Sequence, residues 1–261
     1  MLTTYLDVAV EAALAAGRLQ RSRFASSFTV DLKGAKDLVT ELDTASEAVI
    51  VGCLLERFPG HGILAEEGRY PDGDGRHVWV IDPIDGTTNF AHGYPWFCSS
   101  IALERDGELA VGVIYNPMTD ELFTATAGGG AFMNGRRLTV SQRAPLAGAL
   151  LATGFPYDCA TDPENNFDQF IRFQKAARGI RRAGAAALDL AYLAAGRLDG
   201  FWEVKLKPWD VAAGTLLVRE AGGIVTSFDG APYAIRTHRI LASNGCLHSE
   251  MIAMLAQKGS P

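Results

Sequence analysis

One stretch constrains this chain more than any other: Trp79-Val80-Ile81-Asp82-Pro83-Ile84-Asp85-Gly86-Thr87-Thr88-Asn89-Phe90. The apolar run from Val78 to Ile81 reads as a short buried strand, and it ends in two aspartates, Asp82 and Asp85. Pro83 has no N–H to donate and Gly86 tolerates positive φ, so the strand is expected to stop there. The following Gly86-Thr87-Thr88-Asn89 is small, hydroxyl-rich and supplied with free backbone N–H groups. Two carboxylates beside a nest of N–H donors suit a metal-bridged phosphate. The same residues also make a Pro-x-Asp-Gly turn that closes a strand, with Asp82 capping what comes next. Local sequence leaves both readings open.

Other acids stand at comparable places. Gly62-Ile63-Leu64-Ala65 reads as a short strand ending in Glu66-Glu67-Gly68. Adjacent glutamates there are ordinarily solvated, but two neighbouring strands ending in Glu66 and Asp82 would bring both carboxylates to one sheet edge. Asp43 opens an expected helix at 41–58 within Thr40-Glu41-Leu42-Asp43, a capping-box pattern that would by itself account for the acid. Asp210 falls in the first turn of an expected helix running from Lys207 to Glu220, where an N-cap role is the plain alternative. Glu203 lies near the end of an expected strand, 198–204, and is either solvent-facing or holding a polar ligand, because an unpaired buried glutamate is costly.

The remaining chain reads as scaffold. An alanine-rich amphipathic helix is expected over 4–24, with Leu6, Val10, Ala13, Leu14 and Leu19 as its apolar stripe. A polar connection carrying Lys33, Lys36 and Asp37 leads to the second helix, whose expected inner face is Leu42, Ala45, Val49 and Cys53. Three antiparallel strands follow at 97–103, 109–115 and 121–125, then a hairpin with Asn134-Gly135 at its tip. A strand at 147–152, helices at 163–177 and 185–195, strands at 224–226 and 240–242 and a helix at 246–257 complete the pattern, with Arg178 to Arg182 as a basic connection. Alternating helices and strands around a meander give an α/β or α+β class.

Composition excludes several roles. With 261 residues the chain has room for a substantial core, and 48% hydrophobic with 21% charged residues is ordinary for a globular protein. A net charge of −6 argues against nucleic-acid or anionic-membrane binding by field alone. The cysteines, Cys53, Cys98, Cys159 and Cys246, are scattered without metal-ligand spacing and read as small buried thiols in a reducing compartment. Met1 to Asp7 does not read as a signal peptide and no apolar run has the length of a membrane span, so the expected location is cytoplasmic. A cluster of four carboxylates needs cations: two bare ones at ~4 Å repel by about 4 kcal/mol at an effective dielectric near 20. An all-oxygen donor set favours Mg²⁺ or Mn²⁺ over zinc. Such a site beside N–H donors and a threonine hydroxyl points to phosphoester hydrolysis.

Asp82-Pro83-Ile84-Asp85-Gly86-Thr87-Thr88-Asn89-Phe90 resembles the signature of the inositol monophosphatase family, within the lithium-sensitive, Mg²⁺-dependent phosphatases. Trp209-Asp210-Val211-Ala212-Ala213-Gly214 resembles the family's second signature, Glu66-Glu67 its upstream acidic pair, and Asp37 to Asp43 the segment around a catalytic aspartate. The matches run in family order along nearly the whole chain. The resemblance implies a layered αβαβα sandwich of the inositol monophosphatase and fructose-1,6-bisphosphatase type, in a homodimer. One phosphatase domain over 1–261 is expected, with subdomains at about 1–145 and 146–261.

It also implies residue roles. One Mg²⁺ would be held by Glu66, Asp82 and the Ile84 carbonyl, a second by Asp82, Asp85 and Asp210, and a weaker third near Glu66. Phosphate would take hydrogen bonds from the N–H groups of Gly86 and Thr87. A metal-activated water would be oriented by Thr87, polarised in turn by Asp43. Glu203, the Ala186 N–H, Asp85 and Asp210 would contact the substrate, and either Lys33 or Lys36 would serve an active-site loop. The implied substrate is inositol monophosphate or a similar small polyol phosphate. Fructose 1,6-bisphosphate, histidinol phosphate and phosphoadenosine phosphate are the alternatives within the same chemistry. Some bacterial relatives are partners of the transcription machinery, a role for which Arg178, Arg181 and Arg182 offer a surface.

Overall fold

The structure is a computed structural model, and it describes residues 2–26, 29–32 and 38–257. Lys33, Lys36 and Asp37 lie outside the described residues. Helix α1 (Leu2–Arg23) and the paired strands β1 (Val30–Leu32) and β2 (Leu38–Thr40) precede helix α2 (Glu41–Arg57). Strands β3 (Gly62–Ala65) and β4 (His77–Asp85), the short helix α3 (Thr87–Ala91), and strands β5 (Cys98–Arg105) and β6 (Glu108–Asn116) follow. Next come β7 (Glu121–Thr126), β8 (Gly130–Met133) and β9 (Arg136–Arg137). The second half carries β10 (Leu150–Thr153), α4 (Phe167–Ala176), β11 (Gly179–Arg181), α5 (Ala186–Ala194) and β12 (Gly200–Val204). It closes with α6 (Pro208–Glu220), β13 (Ile224–Thr226), β14 (Arg239–Ser243) and α7 (His248–Ala256).

Strands β3 to β9 make one seven-stranded sheet in chain order, and a second, five-stranded sheet runs β11-β10-β12-β14-β13. Helices α1 and α2 pack on the outer face of the first sheet, α5 and α6 lie between the sheets, and α4 and α7 pack against the second. The layers are therefore αβαβα, as expected. Val80 and Ile114 from one sheet share a single apolar cluster with Phe201 and Ile240 from the other, wrapped around α5 and α6. Burying both helices from two sides makes the middle layer apolar nearly all round: Leu188, Leu190, Leu193, Val211, Leu217 and Val218 are fully buried.

Several local expectations are corrected. The inner face of α1 is Tyr5, Val8, Ala9, Ala12, Ala13, Ala16, Gly17 and Gln20, while Leu6, Val10, Leu14 and Leu19 are half-buried at its flanks. Small residues face the sheet because the helix approaches it closely; a Cβ on Gly17 would overlap the Tyr115 ring. Helix α2 likewise buries Leu42, Asp43, Ser46, Glu47, Ile50, Val51 and Leu54, turning two acids inward. The strand expected at 147–152 starts at Leu150, after a single 3₁₀ turn over Leu146–Gly148. Asp162 caps a turn, accepting the Glu164 N–H at 2.7 Å, and α4 begins only at Phe167, after Asn166 takes the left-handed conformation at φ 70°. The basic connection contains the edge strand β11. Of the cysteines only Cys98 is buried; Cys53 and Cys159 are half-buried and Cys246 is exposed.

Candidate active site

The central correction concerns Pro83. Strand β4 does not stop there but continues to Asp85, with a register shift against β5 between Asp82, opposite Ser100, and Asp85, opposite Cys98. The bulged strand spends one more residue than its partner. In a regular strand, residues three apart face opposite sides of the sheet. The bulge restores parity, so Asp82 and Asp85 face the same cleft. The extra turn leaves the Pro83 carbonyl off the ladder, and it accepts hydrogen bonds from Gln20 Nε2 and Ser99 Oγ, each at 2.9 Å. Strands β3 and β4 run parallel with Ala65 opposite Ile81, so Glu66 leaves its strand beside Asp82. Gly86 then turns the chain at φ 97°, where a Cβ would press on the Trp96 carbonyl at 3.0 Å.

Each acid is aimed by its element. Asp43 Oδ2 accepts the Thr40 N–H at 2.7 Å and the Thr40 hydroxyl at 2.6 Å, while Oδ1 accepts the Thr87 hydroxyl at 3.0 Å. The capping-box reading and the Thr87 contact are thus both realised by one carboxylate. Asp85 receives the N-terminus of α5, with Ala187 N–H at 2.7 Å and Ala186 N–H at 3.2 Å. The Cys98 thiol also donates to Asp85, at 3.7 Å. Asp210, in the first turn of α6, accepts the Lys207 N–H at 2.7 Å. Behind Glu66, the buried Glu47 accepts the Glu67 N–H at 2.9 Å and the Tyr70 hydroxyl at 3.0 Å, anchoring that loop to α2.

Glu66, Asp82, Asp85 and Asp210 line a cleft of about 750 Å³ between the two sheets, with Asp43 and Glu47 behind its lining. Glu66, Asp82, Ile84, Asp85, Gly86 and Thr87 come from the first sheet's end, and Ala186, Glu203 and Asp210 from the elements opposite. Burial pushes Asp85 up to about 7, against the Ala187 and Ala186 amides that pull it down. Burial raises Glu203 to about 8, with Arg182 opposing. Asp82 is 2% exposed and its Oδ1 has no hydrogen-bond partner among the described residues. Burial, then the charges of Glu66, Asp85, Asp210 and Asp43, hold it well above the usual carboxylate range. A buried, orphaned carboxylate oxygen among other acids fits a divalent cation and little else, since any added acid worsens the repulsion.

A different trio, His61, Asp74 and His77, has donor atoms within 4.8 Å of one another, closer than any three acids of the cleft among the described residues. It packs rather than ligates. The two imidazoles stack at 4.5 Å and 7°, so their in-plane lone pairs run parallel instead of converging. His61 Nδ1 already accepts the Trp79 indole N–H at 3.1 Å, and His77 Nδ1 is 2.8 Å from Asp74.

Residues 1–260 match the profile of the inositol monophosphatase family. The chain belongs to that family. An inositol-1-monophosphatase from Synechocystis is 48% identical over 257 residues, covering 98% of this chain and 90% of the relative. A relative from Pseudomonas aeruginosa named Nus factor SuhB is 48% identical over 246 residues, covering 92% of this chain and 91% of its own length. The solved structure of an inositol monophosphatase from Anabaena superposes with a TM-score of 0.89 at 46% identity, over 97% of this chain and 96% of that one. By this membership the protein is a phosphoric monoester hydrolase, and its family is Mg²⁺-dependent.

Sequence reasoning missed four residues that shape this inositol monophosphatase cleft. Glu47 stands one helical turn after Asp43, a spacing that marks a shared face. Gln20 reads as the polar end of an alanine helix and carries no local signal for its contact with the Pro83 carbonyl. Asp189 is hidden in an apolar helix as Leu-Asp-Leu, and Arg182 in a basic run, yet both line the cleft.

Proposed function

We propose that this protein is a Mg²⁺-dependent phosphomonoesterase that acts on inositol monophosphate or a closely similar polyol phosphate. The observation that carries the reading is the buried, unpartnered Oδ1 of Asp82, set among Glu66, Asp85 and Asp210. Glu66, Asp82, the Ile84 carbonyl, Asp85 and Asp210 are the residues that would hold two or three Mg²⁺ ions, with Mn²⁺ as a substitute. When bound, the ions supply Lewis-acid polarisation of the phosphoryl oxygens and acidify water.

The chain's own groups do the rest. The Thr87 hydroxyl lies 3.0 Å from both Asp43 Oδ1 and the Ile84 carbonyl; donating to Asp43, it accepts a hydrogen bond from the attacking water, and as that water gives its proton to Thr87 the Thr87 proton passes to Asp43. Asp43 keeps Thr87 in that orientation because its other oxygen is already taken by Thr40. Backbone N–H groups of Gly86 and Thr87 sit at the turn that faces the phosphate position, a preorganised donor pair. Of the two amides on Asp85, the longer one, from Ala186, is the one a substrate hydroxyl would share. Glu203, held by the Gly154 N–H, presents a second acceptor to the leaving group. The core shared by both sheets supports a single phosphatase domain, and the resemblance to the family adds a homodimer.

A panel of phosphate esters at saturating Mg²⁺ tests the substrate class. Inositol 1-phosphate is expected to show the highest kcat/KM, above fructose 1,6-bisphosphate, histidinol phosphate and phosphoadenosine phosphate. Failure to release phosphate from any of them would sink the reading. A second reading, a regulatory partner of transcription, is favoured by the relative named Nus factor SuhB and by the exposed Arg178, Arg181 and Arg182 along the edge strand. Undetectable phosphatase activity, with partner capture from a lysate unaffected by Asp85→Asn, would favour it instead.

A further inference from the structure

Asp189 lies on α5, one turn beyond the Ala186 and Ala187 amides that hold Asp85. Its side chain lines the cleft, and the residue is 2% exposed. No hydrogen bond or ion pair among the described residues satisfies its carboxyl. Its electrostatic neighbours are Glu203 and Asp85, which oppose ionisation, and Arg182, which favours it. Every other inward residue of α5 is alanine or leucine, so packing gives no reason for an acid here. A carboxyl this buried, with no hydrogen bond and only Arg182 to favour its charge, lowers stability, which makes its presence a cost borne for something outside the fold.

The neighbouring strand on the same wall explains what that is. Glu203, on β12, is also buried and also faces the cleft, with the Gly154 N–H as its one hydrogen-bond donor. Two carboxyls with spare acceptor capacity face a space bounded on one side by the phosphate-binding turn. The matching ligand is a group rich in O–H donors. Arg182 supplies positive charge beside the pair, so a hydroxylated, uncharged ring fits better than an amine. We propose that Asp189 is a specificity-determining residue, accepting hydrogen bonds, beside Glu203, from the hydroxyls of the leaving group. This rests on the phosphatase reading above.

The test uses the full chain with Mg²⁺ and three substrates: inositol 1-phosphate, histidinol phosphate, whose leaving group carries an amine, and p-nitrophenyl phosphate, whose leaving group carries neither. In Asp189→Ala, the ratio of kcat/KM for inositol 1-phosphate to that for p-nitrophenyl phosphate is expected to fall by about 3- to 10-fold, the worth of a hydrogen bond to a neutral carboxyl. Asp189→Asn, which keeps an acceptor oxygen, is expected to fall less. The melting temperature of Asp189→Ala should equal or exceed that of the parent, since the substitution removes a buried group without a partner. An unchanged ratio, a loss confined to histidinol phosphate, or a uniform loss with a lowered melting temperature would each overturn the proposal. If the parent protein hydrolyses none of the three, the phosphatase reading fails and takes this proposal with it.

Discussion

Stripping divalent cations from the protein should invert its ordinary dependence of stability on pH. With chelator present, burial pushes Asp85 up to about 7 and Glu203 up to about 8, from ordinary carboxyl values of 3.8 and 4.5 in an open chain. Burial lifts Asp82, Asp189 and Asp210 well above the usual range too. Around pH 7 the folded state therefore keeps protons that the unfolded chain has released. Raised carboxyls add no penalty below pH 4, and stability falls as pH climbs through their folded values. Half-buried His61 and buried His248 act oppositely, because desolvation lowers both, but their effect ends near pH 6.5. Between pH 6.5 and 8 the acids alone set the slope. A fully retained proton is worth about 1.4 kcal/mol per pH unit; with Asp85 half released at about 7 and Glu203 at about 8, the pair gives about 1.6 kcal/mol per unit averaged over this window. For a chain of this size that is on the order of 3 to 6 °C in melting temperature per pH unit. Mg²⁺ binds the deprotonated carboxylates, so the stabilisation it brings should widen as pH rises. Melting curves at pH 6.5, 7.25 and 8, with chelator and with excess Mg²⁺, decide the matter. A flat or rising chelator series, or coincident series, would refute the clustering of these acids.

Substitutions at three positions follow from the same geometry. Asp82→Asn removes the charge at the centre of the cluster, and should raise the melting temperature in chelator while lowering phosphate release at least about 100-fold; a fall in both would show that Asp82 is structural. Thr87→Val should lower kcat about 100-fold, and Thr87→Ser should keep most of it, because only the hydroxyl donating to Asp43 matters; equal losses in both variants, read from initial rates, would assign the effect to the methyl group. Glu47→Gln loosens the loop that carries Glu66 and should raise the Mg²⁺ concentration for half-maximal activity about tenfold. A Mg²⁺ titration of activity that overlays the parent's would dismiss that role.

What could be read in the sequence, and what could not, follows from which contacts are local. The strand-end acids Glu66 and Asp82 were legible because each closes an apolar run, and their adjacency needed only that the two strands be neighbours, as β3 and β4 are. Asp43 was legible as a cap, and its second role with Thr87 required a contact across 44 residues. Pro83 misled for a physical reason: a residue that breaks a regular ladder is also what a bulge accommodates, and the bulge turns Asp85 toward the cleft. The first helix misled because close approach rewards alanine and glycine over leucine. Asp189 and Glu47 were invisible because a lone acid in a helix reads as surface unless the opposite wall of the cleft is known. The layer order was legible only through the family resemblance, since crossovers such as β12 to β14 leave no local mark.

The central claim is that the carboxylates of the cleft hold the Mg²⁺ on which phosphate release depends. The direct measurement is phosphate release from inositol 1-phosphate as Mg²⁺ is titrated into chelated protein, for the parent and for Asp85→Asn. No turnover is expected in chelator, with saturable recovery on adding Mg²⁺ to the parent and no recovery in Asp85→Asn at any Mg²⁺ concentration tested. Turnover without Mg²⁺, or full recovery in Asp85→Asn, would contradict it.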